Sequence, residues 1–138
     1  MLKTIKVAEK MLESATVFQV STIDSLGFPN ITALTPLKMD RSLDTIFFYT
    51  KHNSATVKNL SNTTNAAIYC FNEDAHTSLM LKGHFLIINP QELDSSWTDY
   101  LNGFQKSLNY IDPAILRFTS LAVKVRESGK VSYSDLQD

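Results

Sequence analysis

Cysteine and glycine are scarce in this chain of 138 residues, which has one cysteine and four glycines. The single cysteine, Cys70, cannot form a disulfide within the chain, and the apolar stretch around it is typical of a small core residue rather than of a nucleophile. With so few glycines, the sequence has no glycine-rich loop of the kind that holds nucleotide phosphates. These shortages exclude a disulfide-stabilised fold and a nucleotide-binding fold that depends on such a loop.

A strong excess of one charge and a long apolar run are also missing. The 13 basic and 14 acidic residues give a net charge of −1, so bulk electrostatics do not favour binding to nucleic acids. No apolar run approaches the ~20 residues that cross a membrane, and the N-terminus lacks the pattern of a secretory leader. We therefore expect a cytoplasmic protein that binds neither nucleic acid nor membrane.

Side-chain arrangements for catalysis or metal binding are absent from the sequence as well. His52, His76 and His84 have no metal-ligand spacing and no acidic or cysteine partner at a useful offset. The order of a Ser-His-Asp triad, a Gly-x-Ser-x-Gly motif and a pair of facing carboxylates are all missing. The sequence thus predicts no catalytic side chain and no metal site.

The segments that are present follow one another without repeats or linkers, which predicts a single domain over residues 1–138. The hydrophobic fraction of 43% suits a soluble domain with a core. Several neighbouring strands are separated by short polar turns, which favour antiparallel pairing. The predicted helices are 2–14, 55–60 and a longer one after Asn89, and the predicted strands are 16–23, 30–38, 45–50, 65–71, 77–88, 117–126 and 131–133.

This pattern predicts an α+β fold, mainly β, in which an antiparallel and closed or nearly closed barrel carries helices on its outside. Pro36 lacks an N–H, so we expect the strand 30–38 to be interrupted there. Gly83 predicts a bend or bulge within the strand 77–88. Asn89 and Pro90 begin a helix with an apolar stripe at spacings of three and four, which predicts a buried helical face: Leu93, Trp97, Leu101, Phe104 and Leu108.

The stretch 44–60 is the best candidate for a functional site. Its apolar strand 45–50 runs into a helix start where Asn53 and Ser54 are both good N-cap residues. Ser54 and Lys58 are four residues apart and share one helix face. A hydroxyl, backbone N–H groups and a lysine at a helix start are suited to hold a phosphate, although an ordinary capped helix without a ligand shows the same spacing.

The order of the elements, the pair Tyr49-Thr50, Ser54, and the strand with Gly83 followed by a capped helix resemble the pyridoxamine-phosphate-oxidase-like, FMN-binding split-barrel superfamily. Within that superfamily, the short chain is most similar to the general-stress-protein branch. The resemblance implies a split barrel of the FMN-binding type. It also implies a homodimer with FMN at the interface, and an oxidoreductase that transfers electrons or hydride to or from a small molecule.

The resemblance also assigns residues to the cofactor. Tyr49 and Thr50 match the pair that contacts the flavin, and Ser54 matches the serine of the phosphate site. Ser78 matches a polar contact that comes from the strand of the partner subunit. The full set of expected cofactor contacts is Thr35, Lys38, Tyr49, Thr50, Ser54, Thr56, Lys58 and Ser78. His52 adjoins this site but is more readily a surface-loop histidine, and Trp97 is either a core residue or a ring close to the flavin.

The phosphate site departs from the family pattern at several positions. Ala55 and Thr56 stand where the family has arginine and lysine, and Ala33 stands in place of an arginine on the second strand. Each charge-assisted hydrogen bond is worth about 1.5–3 kcal/mol, so we expect weaker FMN binding than in the oxidases. Backbone N–H groups, Ser54, Thr56, Lys58 and Lys51 are expected to offset part of this loss.

Two classes of function follow. The first is an FMN-dependent oxidoreductase, although not a true pyridoxamine phosphate oxidase, because the C-terminal arginine-and-histidine motif for pyridoxal phosphate is absent. The second is a non-catalytic dimer that binds flavin or haem, or a family member whose cofactor binding is weakened or lost. The missing arginine and lysine keep the second class open.

Overall fold

The structure, a computed structural model, describes residues 2–136, apart from the side chain of Leu2, so the domain predicted over 1–138 extends beyond it at both ends. The described part contains seven strands and four α-helices. In chain order they are α1 (Leu2–Ser14), β1 (Phe18–Ile23), β2 (Pro29–Leu34), β3 (Ile46–Lys51), α2 (Ala55–Asn59), β4 (Asn65–Asn72), β5 (Thr77–Ile88), α3 (Pro90–Leu93), a 3-10 turn (Trp97–Tyr100), α4 (Gly103–Leu108), β6 (Pro113–Glu127) and β7 (Lys130–Asp135).

One antiparallel sheet joins all seven strands in the order β2-β1-β4-β5-β6-β3, with β7 added on β6. Its two end strands meet only through an isolated bridge between Pro36 and Phe48. The amide of Leu37 donates to the carbonyl of Phe47 at 2.9 Å there, and that of Tyr49 donates to the carbonyl of Thr35 at 3.4 Å. The sheet is therefore a barrel left open along one seam, and the predicted mainly-β split-barrel fold is confirmed.

The seam corrects one expectation from the sequence. Short turns suggested that β3 follows β2 as the next strand of the same antiparallel series, but β3 forms its ladder with β6, from Ile46 opposite Phe118 to Lys51 opposite Pro113. Pro36 is the physical reason on the β2 side, since a residue without an N–H cannot extend a ladder. The predicted interruption at Pro36 is confirmed.

The barrel interior is filled by phenylalanines that meet edge to face. The ring of Phe48 lies 5.5 Å from that of Phe18 and 6.0 Å from that of Phe85, and Phe85 lies 5.1 Å from Phe118. All four side chains are buried. Such pairs stabilise a core beyond the area that they bury.

Helix α1 closes the barrel next to Cys70. Arg41 holds the end of this helix, because its Nη1 donates to the carbonyls of Leu12 at 2.6 Å and Ala15 at 2.5 Å. Burial raises the pKa of the Cys70 thiol to about 11, and the nearby Arg41 guanidinium offsets only part of that rise. Cys70 is buried and protonated at neutral pH, in agreement with the core role predicted from the sequence.

The bulge expected at Gly83 is present where β5 pairs with β6, and its extra residue, Leu121, lies on β6. The register with β6 shifts between Lys82 and Gly83, so that Lys82 faces Ala122 whereas Gly83 faces Ser120. The backbone of β6 approaches so closely here that a Cβ on Gly83 would overlap the Thr119 carbonyl. Gly83 is required because only a residue without a side chain permits this approach.

The long helix predicted after Asn89 is wrong, because α3, a 3-10 turn and α4 replace it. Asp94 ends α3 by accepting hydrogen bonds from the amide and hydroxyl of Ser96, both at 2.9 Å. Asn102 then begins α4 as an N-cap. Side-chain acceptors of this kind compete with helical hydrogen bonds, so the apolar spacing of three and four did not give a continuous helix. Phe104, predicted to be buried, is 61% exposed.

None of the helices in residues 2–136 is both long enough and apolar enough to cross a membrane.

Candidate functional site

The end of β3 sends two neighbouring side chains to opposite faces of the sheet. Thr50 shares the inner face with Ile46 and Phe48 and is 4% exposed, whereas Tyr49 points to the outer face and is 6% exposed. This follows from the two-residue period of a strand. The side chains of the Tyr49-Thr50 pair therefore have different neighbours: Thr50 faces the barrel interior, and Tyr49 faces the outside of the sheet.

Tyr49 is the buried member of an aromatic cluster between β3 and the segment 97–110. Its ring stacks on Tyr110 at 5.3 Å and lies 6.2 Å from Trp97. Burial, and then the neighbouring Tyr110, raise the pKa of the Tyr49 phenol, so it stays protonated. The Nζ of Lys51 lies over the ring of Tyr110, 5.7 Å from its centre. Trp97 is thus half-buried against Tyr49, as a core residue would be.

The loop between β3 and α2 is fixed by local hydrogen bonds. The amide of His52 donates to the carbonyl of Asp112 at 3.0 Å. The amide of Val57 donates to the Ser54 hydroxyl oxygen at 3.2 Å, which confirms Ser54 as the N-cap. Ser54 keeps its own hydrogen as a donor, because a hydroxyl both accepts and donates. The amides of Ala55 and Thr56 in the first turn have no acceptor within the helix.

Within α2, the two remaining expected contacts differ in exposure. Thr56 is 7% exposed and faces the protein, whereas Lys58 is exposed on the side of Ser54. Asn59 holds the helix on the barrel, since its Nδ2 donates to the Thr22 hydroxyl at 3.1 Å. Among the residues expected at this helix, Ser54 and Lys58 are accessible to a ligand, and Thr56 is covered.

The charge of the connection favours an anion. The segment 45–60 contains no aspartate or glutamate, and it carries Lys51, His52 and Lys58 together with the Ser54 hydroxyl. Lys51 and Lys58 are exposed, and Ser54 and His52 are half-buried. A segment whose own side chains are donors and cations, with no carboxylate among them, has the chemistry that binds a phosphate or carboxylate.

Thr35 and Lys38 lie at the seam of the barrel, and the backbone of Thr35 pairs with that of Tyr49. The Thr35 hydroxyl accepts a hydrogen bond at 2.8 Å from Nε2 of Gln105, a residue that the sequence analysis did not select. The backbone of Lys38 is tied to the carbonyl of Tyr100 at 2.8 Å, and its side chain is exposed. The pattern Asn102-x-x-Gln105 of a capping box was the sequence signal that would have drawn attention to Gln105.

Ser78 lies far from these residues within one chain. Ser78 faces Arg126 near the end of β6, whereas Thr50 faces Ala114 near its beginning. Twelve residues of strand span on the order of 35 Å. Ser78 can join the other expected contacts only if a second chain supplies it, as the sequence analysis assumed.

Residues 2–136 hold no group of three or more histidine, cysteine, aspartate or glutamate side chains that would hold a metal ion.

An antiparallel barrel open at one seam, with a donor-rich connection after the seam strand, defines a split-barrel protein. The chain belongs to the pyridoxamine 5'-phosphate oxidase family, whose sequence profile matches residues 5–132. The resemblance predicted from the sequence is thereby confirmed.

Solved structures with the same fold include proteins of several kinds. A protein related to general stress protein 26, from Clostridium acetobutylicum, has a TM-score of 0.81 at 21% identity over 97% of this chain and 95% of its own. A pyridoxamine 5'-phosphate oxidase-related, FMN-binding protein from Nostoc punctiforme has a TM-score of 0.69 at 12% identity over 99% and 95%. A heme binding protein from Mycobacterium smegmatis has a TM-score of 0.76 at 15% identity over 96% and 57%.

At these identities the likeness concerns the fold. No curated protein matches this chain.

Proposed function

We propose that this chain is an FMN-binding flavoprotein that works as a homodimeric oxidoreductase on a small molecule, in the cytoplasm. The observation that carries the proposal is the segment 45–60, which offers cations and donors and contains no acidic side chain. The family of the chain and its structural likeness to an FMN-binding protein support the choice of FMN as the ligand. When bound, FMN supplies electron or hydride transfer, and the protein supplies position and electrostatics. No side chain of the chain is assigned a proton-transfer role.

The residues present fit the phosphate group of FMN, with fewer charges than the family pattern has. The Ser54 hydroxyl, Lys58 and Lys51 are accessible donors on one connection. Thr56 is covered, so it does not replace the lysine that the family has at that position. Two accessible lysines against a dianionic phosphate favour binding, while the loss of the arginine makes it weaker.

The test of this proposal compares FMN with riboflavin, which lacks the phosphate. In Ser54→Ala/Lys58→Ala the dissociation constant for FMN is expected to rise at least about 150-fold, because two charge-assisted contacts of at least about 1.5 kcal/mol each are lost. The dissociation constant for riboflavin is expected to change less than about threefold, since riboflavin never made those contacts. Fluorescence titration measures both ligands.

Lys106→Ala is the matched control, because Lys106 is an exposed lysine in a different helix, α4. It is expected to leave both affinities unchanged. Equal losses for FMN and riboflavin in the double variant would place the phosphate elsewhere. If saturating FMN changes neither flavin fluorescence nor the thermal midpoint of the unsubstituted protein, the FMN proposal is refuted.

The homodimer is proposed from the outer face of the sheet. Gln19, Ser21 and their cross-strand partners alternate with core residues, so this face points away from the barrel interior. It exposes several large apolar side chains on β2, β4 and β7: Ile31 (73%), Tyr69 (40%), Phe71 (60%), Val131 (39%) and Tyr133 (69%). A patch of this kind marks an interaction surface.

A second copy of the chain is the proposed occupant because this same face carries Ser78. In the sheet, Ser78 stands between Phe71 on β4 and Arg126 on β6. We propose that a dimer formed through this face sets Ser78 of one chain against Thr35, Tyr49 and Ser54 of the other, as the family resemblance implies. The interface and the expected partner contact therefore depend on one surface.

Phe71→Lys is expected to convert the dimer into a monomer, because it places a charge within the apolar face. Phe104→Lys is the control, since Phe104 has nearly the same exposure, 61%, but lies on α4. Sedimentation equilibrium should give twice the chain mass for the unsubstituted protein and for Phe104→Lys, and one chain mass for Phe71→Lys. A single-chain mass for the unsubstituted protein would refute the dimer.

A second candidate function is haem binding without catalysis. It is favoured by the loss of the phosphate-site arginine and lysine at Ala55 and Thr56, together with the fold that the chain shares with a heme binding protein. Titration with FMN and with haem separates the two candidates, because each ligand has its own absorption spectrum. Saturable binding of haem and none of FMN would favour this second function.

A further inference from the structure

Gln105 is a polar side chain with no exposure to solvent, 0%, and all of its polar atoms have partners. Its Oε1 accepts from the amide of Asn102 at 2.9 Å. Its Nε2 faces the Thr35 carbonyl at 3.1 Å, the Thr35 hydroxyl at 2.8 Å and the Pro36 carbonyl at 3.2 Å. One buried amide thus connects the start of α4 with the barrel seam.

These partners fix which way the amide of Gln105 points. The carbonyls of Thr35 and Pro36 only accept hydrogen bonds, so the NH₂ group must face them. The backbone N–H of Asn102 only donates, so the side-chain oxygen of Gln105 must face it. The orientation follows from the chemistry of the three neighbours.

The orientation also determines the polarity of the Thr35 hydroxyl. Its oxygen accepts the shortest of the three contacts from Nε2, so its hydrogen is directed elsewhere. Within residues 2–136 no acceptor lies at hydrogen-bond distance from that hydrogen, and Thr35 is half-buried rather than covered. The seam thus presents, on a half-buried residue, one hydroxyl donor that has no acceptor among the described residues.

We propose that Gln105 is a positioning residue that holds the Thr35 hydroxyl as a fixed hydrogen-bond donor to an oxygen or nitrogen of the bound ligand. This inference rests on the proposed flavin site, because Thr35 lies at the seam beside the backbone of Tyr49. Gln105 itself does not touch the ligand. It acts through Thr35 by occupying the acceptor side of the hydroxyl.

Thr35→Val tests the donor directly. Valine keeps the shape of threonine, and Gln105 keeps two carbonyl acceptors for its two N–H groups, so the fold loses no obligatory partner. The dissociation constant for FMN is expected to rise about tenfold, with the thermal midpoint of the ligand-free protein unchanged. Thr35→Ser keeps the hydroxyl and is expected to bind FMN as the unsubstituted protein does.

Gln105→Met tests the positioning role through non-additivity. It removes the partner of the hydroxyl, so FMN binding is expected to weaken about fivefold. Combined with Thr35→Val, the loss is expected to stay near tenfold instead of reaching the product of about fiftyfold, because both changes remove one contact. If Gln105→Met does not fold, Gln105→Asn, which withdraws the amide by one methylene, takes its place.

Asn102→Asp is the control. Aspartate keeps the side-chain oxygen that accepts from the backbone N–H of Gln105 at 2.8 Å, and the change leaves Thr35 untouched. Its affinity for FMN should equal that of the unsubstituted protein. A titration with riboflavin then locates the ligand atom that accepts from the Thr35 hydroxyl. If Thr35→Val weakens the binding of both ligands, that atom lies on the ring or the ribityl chain. If it weakens the binding of FMN alone, the atom lies on the phosphate.

Two results overturn the inference, and they are distinguishable from each other. Unchanged FMN affinity in Thr35→Val, while the unsubstituted protein binds FMN, refutes the donor role and leaves the proposed function standing. Fully additive losses in the double variant make Gln105 a structural residue only. No FMN binding by the unsubstituted protein refutes the proposed function together with this inference.

Discussion

Gly83→Ala is expected to lower the free energy of unfolding by about 4 kcal/mol. The added Cβ would overlap the carbonyl oxygen of Thr119 and lie 2.9 Å from both its carbonyl carbon and the Phe118 ring. The obstructing atoms belong largely to backbone, which cannot turn aside as a flexible side chain does. The two longest strands must therefore separate at their bulge, where their ladder holds the barrel together.

The measurement for Gly83→Ala is thermal or denaturant unfolding, in which the midpoint temperature should fall by about 12 °C. Gly103→Ala is the matched control, since a Cβ there meets no atom within 4 Å and the residue begins α4. Alanine favours a helix over glycine, so this control is expected to be neutral or slightly stabilising. A neutral result for Gly83→Ala would mean that β5 and β6 do not approach as closely as the structure shows.

Phe48→Ala is expected to cost about 4 kcal/mol as well, by a different mechanism. Its ring is fully buried and meets Phe18 and Phe85 edge to face, so the truncation leaves a cavity and removes two aromatic contacts. Phe48 is also the residue that bridges to Pro36 across the seam. The variant should loosen the seam where Thr35 and Thr50 lie, and weaken ligand binding with it.

The control for Phe48→Ala is Phe104→Ala, which removes the same atoms from a residue that is 61% exposed. That change should cost less than about 0.5 kcal/mol, because little apolar area leaves the interior. Chemical denaturation of both variants gives the comparison in one experiment. Similar losses for the two variants would show that the cost comes from losing phenylalanine as such rather than from a buried core contact.

Much of the barrel was predictable because its signals are local. The two-residue period placed the strands, and the lack of an N–H at Pro36 and of a side chain at Gly83 marked the interruption and the bulge. Ser54 was identified as a cap from its neighbours alone, and the structure shows that bond. Each of these features depends on residues within a few positions of one another.

The failures arose where side-chain acceptors within a segment, or residues far away in the sequence, overruled a local apolar pattern. The apolar stripe from Leu93 to Leu108 satisfied helical spacing, but the acceptors Asp94 and Asn102 divided it into separate turns. The partner of β3 was also out of reach, since the pairing with β6 joins segments far apart in sequence. Cross-strand pairing is decided by the packing of both faces, which a single strand does not encode.

The sequence by itself determined an antiparallel, mainly β chain of this family and a donor-rich segment 45–60 that carries no acidic side chain. Only the tertiary structure decided that Tyr49 is buried beneath the segment 97–110 and that Thr56 is covered. It likewise brought Gln105 to Thr35 across seventy residues. The physical reason is that residue type and spacing fix chemistry and local geometry, whereas burial and long-range hydrogen bonds depend on which elements meet when the core forms.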